Sequence, residues 1–126
     1  SGKYTESQVE KLISGRGGLV SYLGVTDCRE VEDMIEEGSK KAALVYEAMA
    51  YQVAKAIAVM SVALKGSVDA VILTGGAAHS ELLTGMIEDY AGHIGKFVIM
   101  PGENELEALA SGADRILRGQ EEGRIY

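Results

Sequence analysis

The sequence predicts an α/β fold in which a long central helix precedes a β-α-β-α unit with parallel strands. Three observations carry this. From Lys40 to Lys65 there is no Gly or Pro, so one helix spans the run. Val71-Ile72-Leu73 and Phe97-Val98-Ile99-Met100 are short, unbroken apolar runs, as strands covered on both faces are. Between them, Gly75-Gly76 and then Ser80 supply a sharp turn and a helix cap. A length of 126 residues suits one domain.

In chain order, Thr5 to Ser14 reads as a short helix, with Thr5 as cap, Gln8 three residues on, and Val9, Leu12 and Ile13 on one face. Gly15-Arg16-Gly17-Gly18 ends it, and Leu19 to Gly24 reads as an irregular turn. Asp27 caps a second helix that runs to about Glu37, with Glu30 at capping-box spacing. Gly38 stops it and Ser39 caps the long helix. From Ala48 to Leu64 that helix is apolar almost all round, relieved by Gln52, Lys55 and Ser61. A membrane span needs ~20 apolar residues, and Gln52 and Lys55 interrupt this one, so it reads as a central helix packed on several sides. After the first strand, Ser80 opens a helix whose inner face is Leu82, Leu83, Met86, Ile87 and Tyr90. Pro101-Gly102 breaks the second strand at Lys96 to Met100. Asn104 and Glu107 cap a last helix from Glu105 to about Arg118, facing inward through Leu106, Leu109, Ala110, Ala113, Ile116 and Leu117. Two apolar strands make a poor sheet by themselves, so the sequence reads as part of a larger α/β domain or as a chain that borrows strands.

The net charge is −7 and the basic residues form no stripe, which argues against a nucleic-acid partner. Cys28 is the only cysteine; it excludes an internal disulfide and a zinc site and fits a reducing compartment. The N-terminus has no apolar targeting core. No P-loop, G-x-G-x-x-G or Ser/His/Asp arrangement is present, and His79 and His93 lack ligand spacing.

Parallel strands bring Thr74, Gly76, His79 and Ser80 to the same sheet edge as Glu103, Asn104 and Glu105, and small ligands bind at that edge of open α/β sheets. A glycine turn beside carboxylates suits a nucleotide with Mg²⁺. Each feature also has a plainer explanation. Gly-Gly turns serve packing, and Asp27 is an N-cap. Glu103 and Glu105 complement a helix dipole, and Arg29 is a surface residue, though placed unfavourably for a cation.

Four segments together resemble the butyrate and branched-chain carboxylic acid kinases. They are Gly17 to Val31 (with Thr26-Asp27-Cys28-Arg29-Glu30), Ala42 to Lys55, Val71-Ile72-Leu73-Thr74-Gly75-Gly76, and Pro101-Gly102-Glu103-Asn104-Glu105-Leu106 to Ala110. The resemblance covers nearly the whole chain and matches the last third of such an enzyme. It implies a ribonuclease H-like lobe of the actin, heat-shock chaperone and sugar-kinase superfamily. Residues 1–119 would be the C-terminal nucleotide-binding lobe and 120–126 a polar tail. The implied reaction passes a phosphoryl group between ATP and butanoate, giving butanoyl phosphate and ADP, with Mg²⁺. By the same resemblance Asp27, Cys28 and Arg29 lie near the adenosine. So does the turn Thr74, Gly75, Gly76, Ala77, Ala78, His79 and Ser80, which keeps the family's first glycine as Gly76 but carries His79 where a Glu stands. Glu105, with Glu103 in reserve, is the metal-associated acid. The family's phosphate loops and catalytic Arg and His have no counterpart here, so the chain is expected to be inactive alone. A cytoplasmic homodimer without membrane contact is implied. The rival readings are a non-catalytic actin-like nucleotide-binding or dimerisation module and, last, a receiver-like or flavodoxin-like domain, which needs more strands.

Overall fold

Local capping sets the helix starts. Thr5 and Gln8 close a reciprocal cap: Thr5 N donates to Gln8 Oε1 at 2.9 Å and Gln8 N to Thr5 Oγ1 at 3.3 Å. The computed structural model describes residues 3–13, 15–102, 111, 114–115 and 117–120. Its elements are α1 (Glu6–Ile13), α2 (Gly18–Leu23), α3 (Cys28–Glu36), α4 (Lys40–Ala63), β1 (Ala70–Gly75), a 3₁₀ turn (Gly76–His79), α5 (Glu81–Ala91) and β2 (Lys96–Pro101). Segment α2 forms where an irregular turn was expected. Leu19 and Leu23, one helical turn apart, both pack against the core. The last helix, with its Asn104–Glu107 cap, lies largely outside the described residues, as does the tail beyond Gln120. Within them Arg118 Nε meets Asp114 Oδ2 one turn back at 2.8 Å, and Leu117 is exposed rather than inward-facing.

Ser39 caps α4 by accepting from Ala42 N at 3.2 Å. Its 24 residues make a rod of roughly 36 Å. It was expected to pack on several sides; instead it buries one stripe, Ala42, Tyr46, Ala50 and Ala54, at a four-residue repeat. Leu44, Val59, Met60 and Val62 on its other faces are exposed. By length and hydropathy α4 is long and apolar enough to cross a bilayer, a test that core helices also pass. The stripe packs into a core with Val31 of α3 and Leu83 and Ile87 of α5, and its small alanines let those helices approach. The inner face of α5 is Leu83, Thr84, Ile87 and Ala91. Leu82 and Tyr90, expected inside, are exposed, and Tyr90 instead meets the Tyr51 ring edge-on, 5.4 Å between centroids.

The two strands are parallel, in register from Ala70↔Lys96 to Gly75↔Pro101. Leu73 and Phe97 rest on the helical core. The expectation of burial on both faces fails: β1 alternates, and Ile72 is 59% exposed. Helices cover one face of the sheet, and no described element covers the other. Beyond the strands, Gly75 and Gly102 exchange backbone hydrogen bonds of 3.2 and 3.1 Å. The carboxyl ends of both strands are thereby clamped together.

Candidate functional site

That clamped edge opens into a cleft of about 730 Å³, lined by Thr26, Asp27, Cys28, Arg29 and Glu32 on one side and Gly76, Ala77, His79 and Ser80 on the other. The first wall is the start of α3. Asp27 caps it by accepting from Arg29 N at 2.9 Å, at the second helical position rather than from Glu30 at the third. The same carboxylate holds the Arg29 guanidinium, with Nη2–Oδ2 at 2.6 Å and Nε at 3.2 Å from both oxygens. This pair answers why a cation tolerates the positive end of a helix dipole: its charge is met two residues back.

The Arg29 hydrogen bonds hold the Asp27 carboxyl down, at about 2 against an ordinary 3.8. A carboxyl lowered on folding contributes stability above its unfolded value, and that contribution is lost as the pH falls through the folded one. The expected result is an Asp27 carboxyl titration by NMR with a midpoint near 2. Arg29→Ala should return it towards 3.8.

The second wall follows β1. Gly75 has φ 83° and ψ −173°, a region essentially closed to residues with a Cβ. A Cβ there would touch nothing within 4 Å, so Gly75→Ala should cost about 1–3 kcal/mol through backbone strain alone, read as a lower urea midpoint. At Gly76 a Cβ would also meet open space and φ is ordinary, so the bare backbone there leaves room in the cleft. Ala77 and His79 are exposed along the 3₁₀ turn. A Cβ on Gly102 would lie 3.8 Å from His79 Nε2, which places this histidine beside the end of β2.

Three residues expected at the ligand do not line the cleft. Thr74 donates its hydroxyl to Gly102 O at 3.3 Å, Gly75 forms the bridge, and Ala78 is buried in the core. Glu103 and Glu105 lie outside the described residues. Among the described residues no group of three or more His, Cys, Asp and Glu is placed to hold a metal ion.

Behind the cleft the two walls are tied by a buried network. Ser80 accepts from Leu83 N at 2.9 Å as the cap of α5 and donates to Glu32 Oε1. The Tyr46 hydroxyl donates to the same Oε1 at 2.9 Å and lies 2.9 Å from Ser80 Oγ. Tyr46 is fully buried, and burial pushes its phenol well above the ordinary value, so it stays a proton donor.

The sequence matches the acetokinase family over residues 2–116. The chain belongs to the acetokinase family. Among its relatives it is 54% identical to probable butyrate kinase 2 of Caldanaerobacter subterraneus subsp. tengcongensis. It is 51% identical to butyrate kinase 1 of Clostridium acetobutylicum and 48% to a probable butyrate kinase of Listeria innocua serovar 6a. Each match covers all of this chain and 36% of the relative's length. The resemblance read from the four segments is borne out. Within this acetokinase chain, sequence reasoning passed over Thr26, Glu32 and Tyr46. A usable signal existed for Tyr46: one phenol in an alanine stripe at four-residue spacing, whose hydroxyl needs a partner when buried.

Proposed function

We propose that this chain is the C-terminal nucleotide-binding portion of a butyrate kinase, which passes a phosphoryl group between ATP and butanoate to give butanoyl phosphate and ADP. The observation that carries the proposal is the cleft at the carboxyl edge of the parallel pair. It joins the Asp27-Cys28-Arg29 segment and the Gly76 turn across one space. Two segments 47 residues apart in the family-like sequence (29 to 76) meet there only through the fold. Arg29 is already paired with Asp27, and Glu32 adds a carboxylate, so the cleft's charge favours the uncharged nucleoside over a polyphosphate. Asp27, Cys28, Arg29, Gly76, Ala77, His79 and Ser80 would contact adenosine, and Thr74, Gly75 and Ala78 would hold the turn in shape.

The reading extends to a ribonuclease H-like, actin-like lobe over 1–119 with a polar tail at 120–126, in a cytoplasmic homodimer. Magnesium takes one or two protein carboxylates besides substrate phosphates and water, and Glu105 or Glu103 is the proposed supplier. The relatives' names and the family together support the carboxylate acceptor. Phosphoryl transfer depends on positioning and charge stabilisation from several groups. This chain, with its nucleoside wall alone, is proposed to be inactive by itself.

The test is a direct one. The full-length protein, assayed by trapping acyl phosphate with hydroxylamine, should form butanoyl hydroxamate from ATP and butanoate. The chain of 126 residues alone should form none and bind ADP weakly. Nucleotide binding by the full-length protein without any acyl phosphate would favour the non-catalytic module.

A further inference from the structure

We infer that Glu32 is a specificity-determining residue of the cleft, presenting a fixed carboxylate oxygen that accepts a hydrogen bond from a donor on the nucleoside. This rests on the reading of the cleft as a nucleotide site. Glu32 lines the cleft and is half-buried. Both of its hydrogen bonds among the described residues end on one oxygen, Oε1, from Tyr46 and Ser80. The two donors come from different elements: Tyr46 from the second turn of α4, Ser80 from the cap of α5. Each is itself fixed, Tyr46 by complete burial and Ser80 by Leu83 N. A carboxylate gripped at one oxygen from two rigid elements cannot swing freely, and its other oxygen takes no donor among the described residues. An ionised carboxylate only accepts. It therefore selects for a ligand edge that donates.

A nucleoside offers two such edges, the ribose hydroxyls and the exocyclic amine of the base. Both are the same chemistry, a neutral donor to a charged acceptor. Such bonds are stronger than neutral ones, and losing one corresponds to roughly 10- to 150-fold in affinity.

The substitution Glu32→Gln gives the sharpest test. The amide oxygen can satisfy the Tyr46 and Ser80 hydroxyls, which leaves the NH₂ where the free carboxylate oxygen was. A donor then faces a donor. In the full-length protein, Kd is measured by calorimetry for ATP, 2′-deoxy-ATP, 3′-deoxy-ATP and purine riboside triphosphate, the last lacking the exocyclic amine. The wild-type protein should bind ATP tightest and lose about tenfold or more with at least one analogue. The analogue affected identifies the edge. Glu32→Gln should lose a similar factor with ATP and show little further loss with that analogue. Such non-additivity marks a direct pair, and a merely structural role would not produce it.

Tyr46→Phe keeps the carboxylate but frees it on one side, and should narrow the discrimination. Equal wild-type affinity for all four nucleotides overturns the inference and leaves the nucleotide site standing. Additive losses in the two proteins do the same. Wild-type protein that binds no ATP overturns both.

Discussion

If the cleft is the proposed nucleotide site, Gly76→Val is expected to raise the Kd for ATP roughly 5- to 150-fold and to leave the fold intact. The size follows from forcing a side chain into space that a ligand must occupy, which costs about 1–3 kcal/mol. Gly76 has an ordinary φ, and a Cβ there meets nothing within 4 Å. The new side chain meets no protein atom there and conflicts only with a ligand. Calorimetric ATP titration of the full-length protein beside a urea unfolding curve checks both halves. Unchanged affinity would remove Gly76 from the site. The neighbouring Gly75 makes the contrast. Its φ of 83° makes the same kind of substitution a folding defect, so Gly75→Ala should move the urea midpoint. These adjacent glycines serve different purposes, one for the turn and one for the space beyond it.

Tyr46→Ala should destabilise the protein by about 3–5 kcal/mol, the range for removing a fully buried aromatic side chain. Tyr46 is 0% exposed and stands where α3, α4 and α5 meet. Its loss also takes one of two donors from Glu32. Tyr46→Phe separates these effects. It keeps the ring and should cost about 1.5–3 kcal/mol for a hydroxyl that donates to a carboxylate. Urea denaturation with an unchanged m-value is the measurement. A Phe variant as unstable as the Ala variant would show that the hydroxyl network, not the packed ring, dominates here.

What the sequence made legible was local. The Thr5–Gln8 cap, the Asp27, Ser39 and Ser80 caps, the long helix and the parallel pair all depend on residues close in the chain or on plain periodicity. The Gly76 wall was legible from strand topology, its pairing with the Asp27 wall only as a family likeness, and the fold brings the two together in one cleft. What escaped was long-range or context-dependent. Glu32, Tyr46 and Ser80 are separated by 14 and 34 residues, so no spacing rule links them. Segment α2 is six residues between glycines, closed by a left-handed Gly24 cap, and Leu19 and Leu23 tie it to the core. The apolar composition of β1 and α4 spoke for burial on every side. The described residues supply partners for one side of each.

The parallel pair has a last consequence for how this polypeptide behaves in solution. With two strands in the described sheet, each has a neighbour along one margin only. Along the other, its amides and carbonyls are ready to recruit a further extended segment. Ile72, standing out on the bare surface, would give such a newcomer an apolar footing. A strand from a second copy of this chain, paired along that margin, would extend the sheet, so self-association at high concentration is the expected behaviour of these 126 residues.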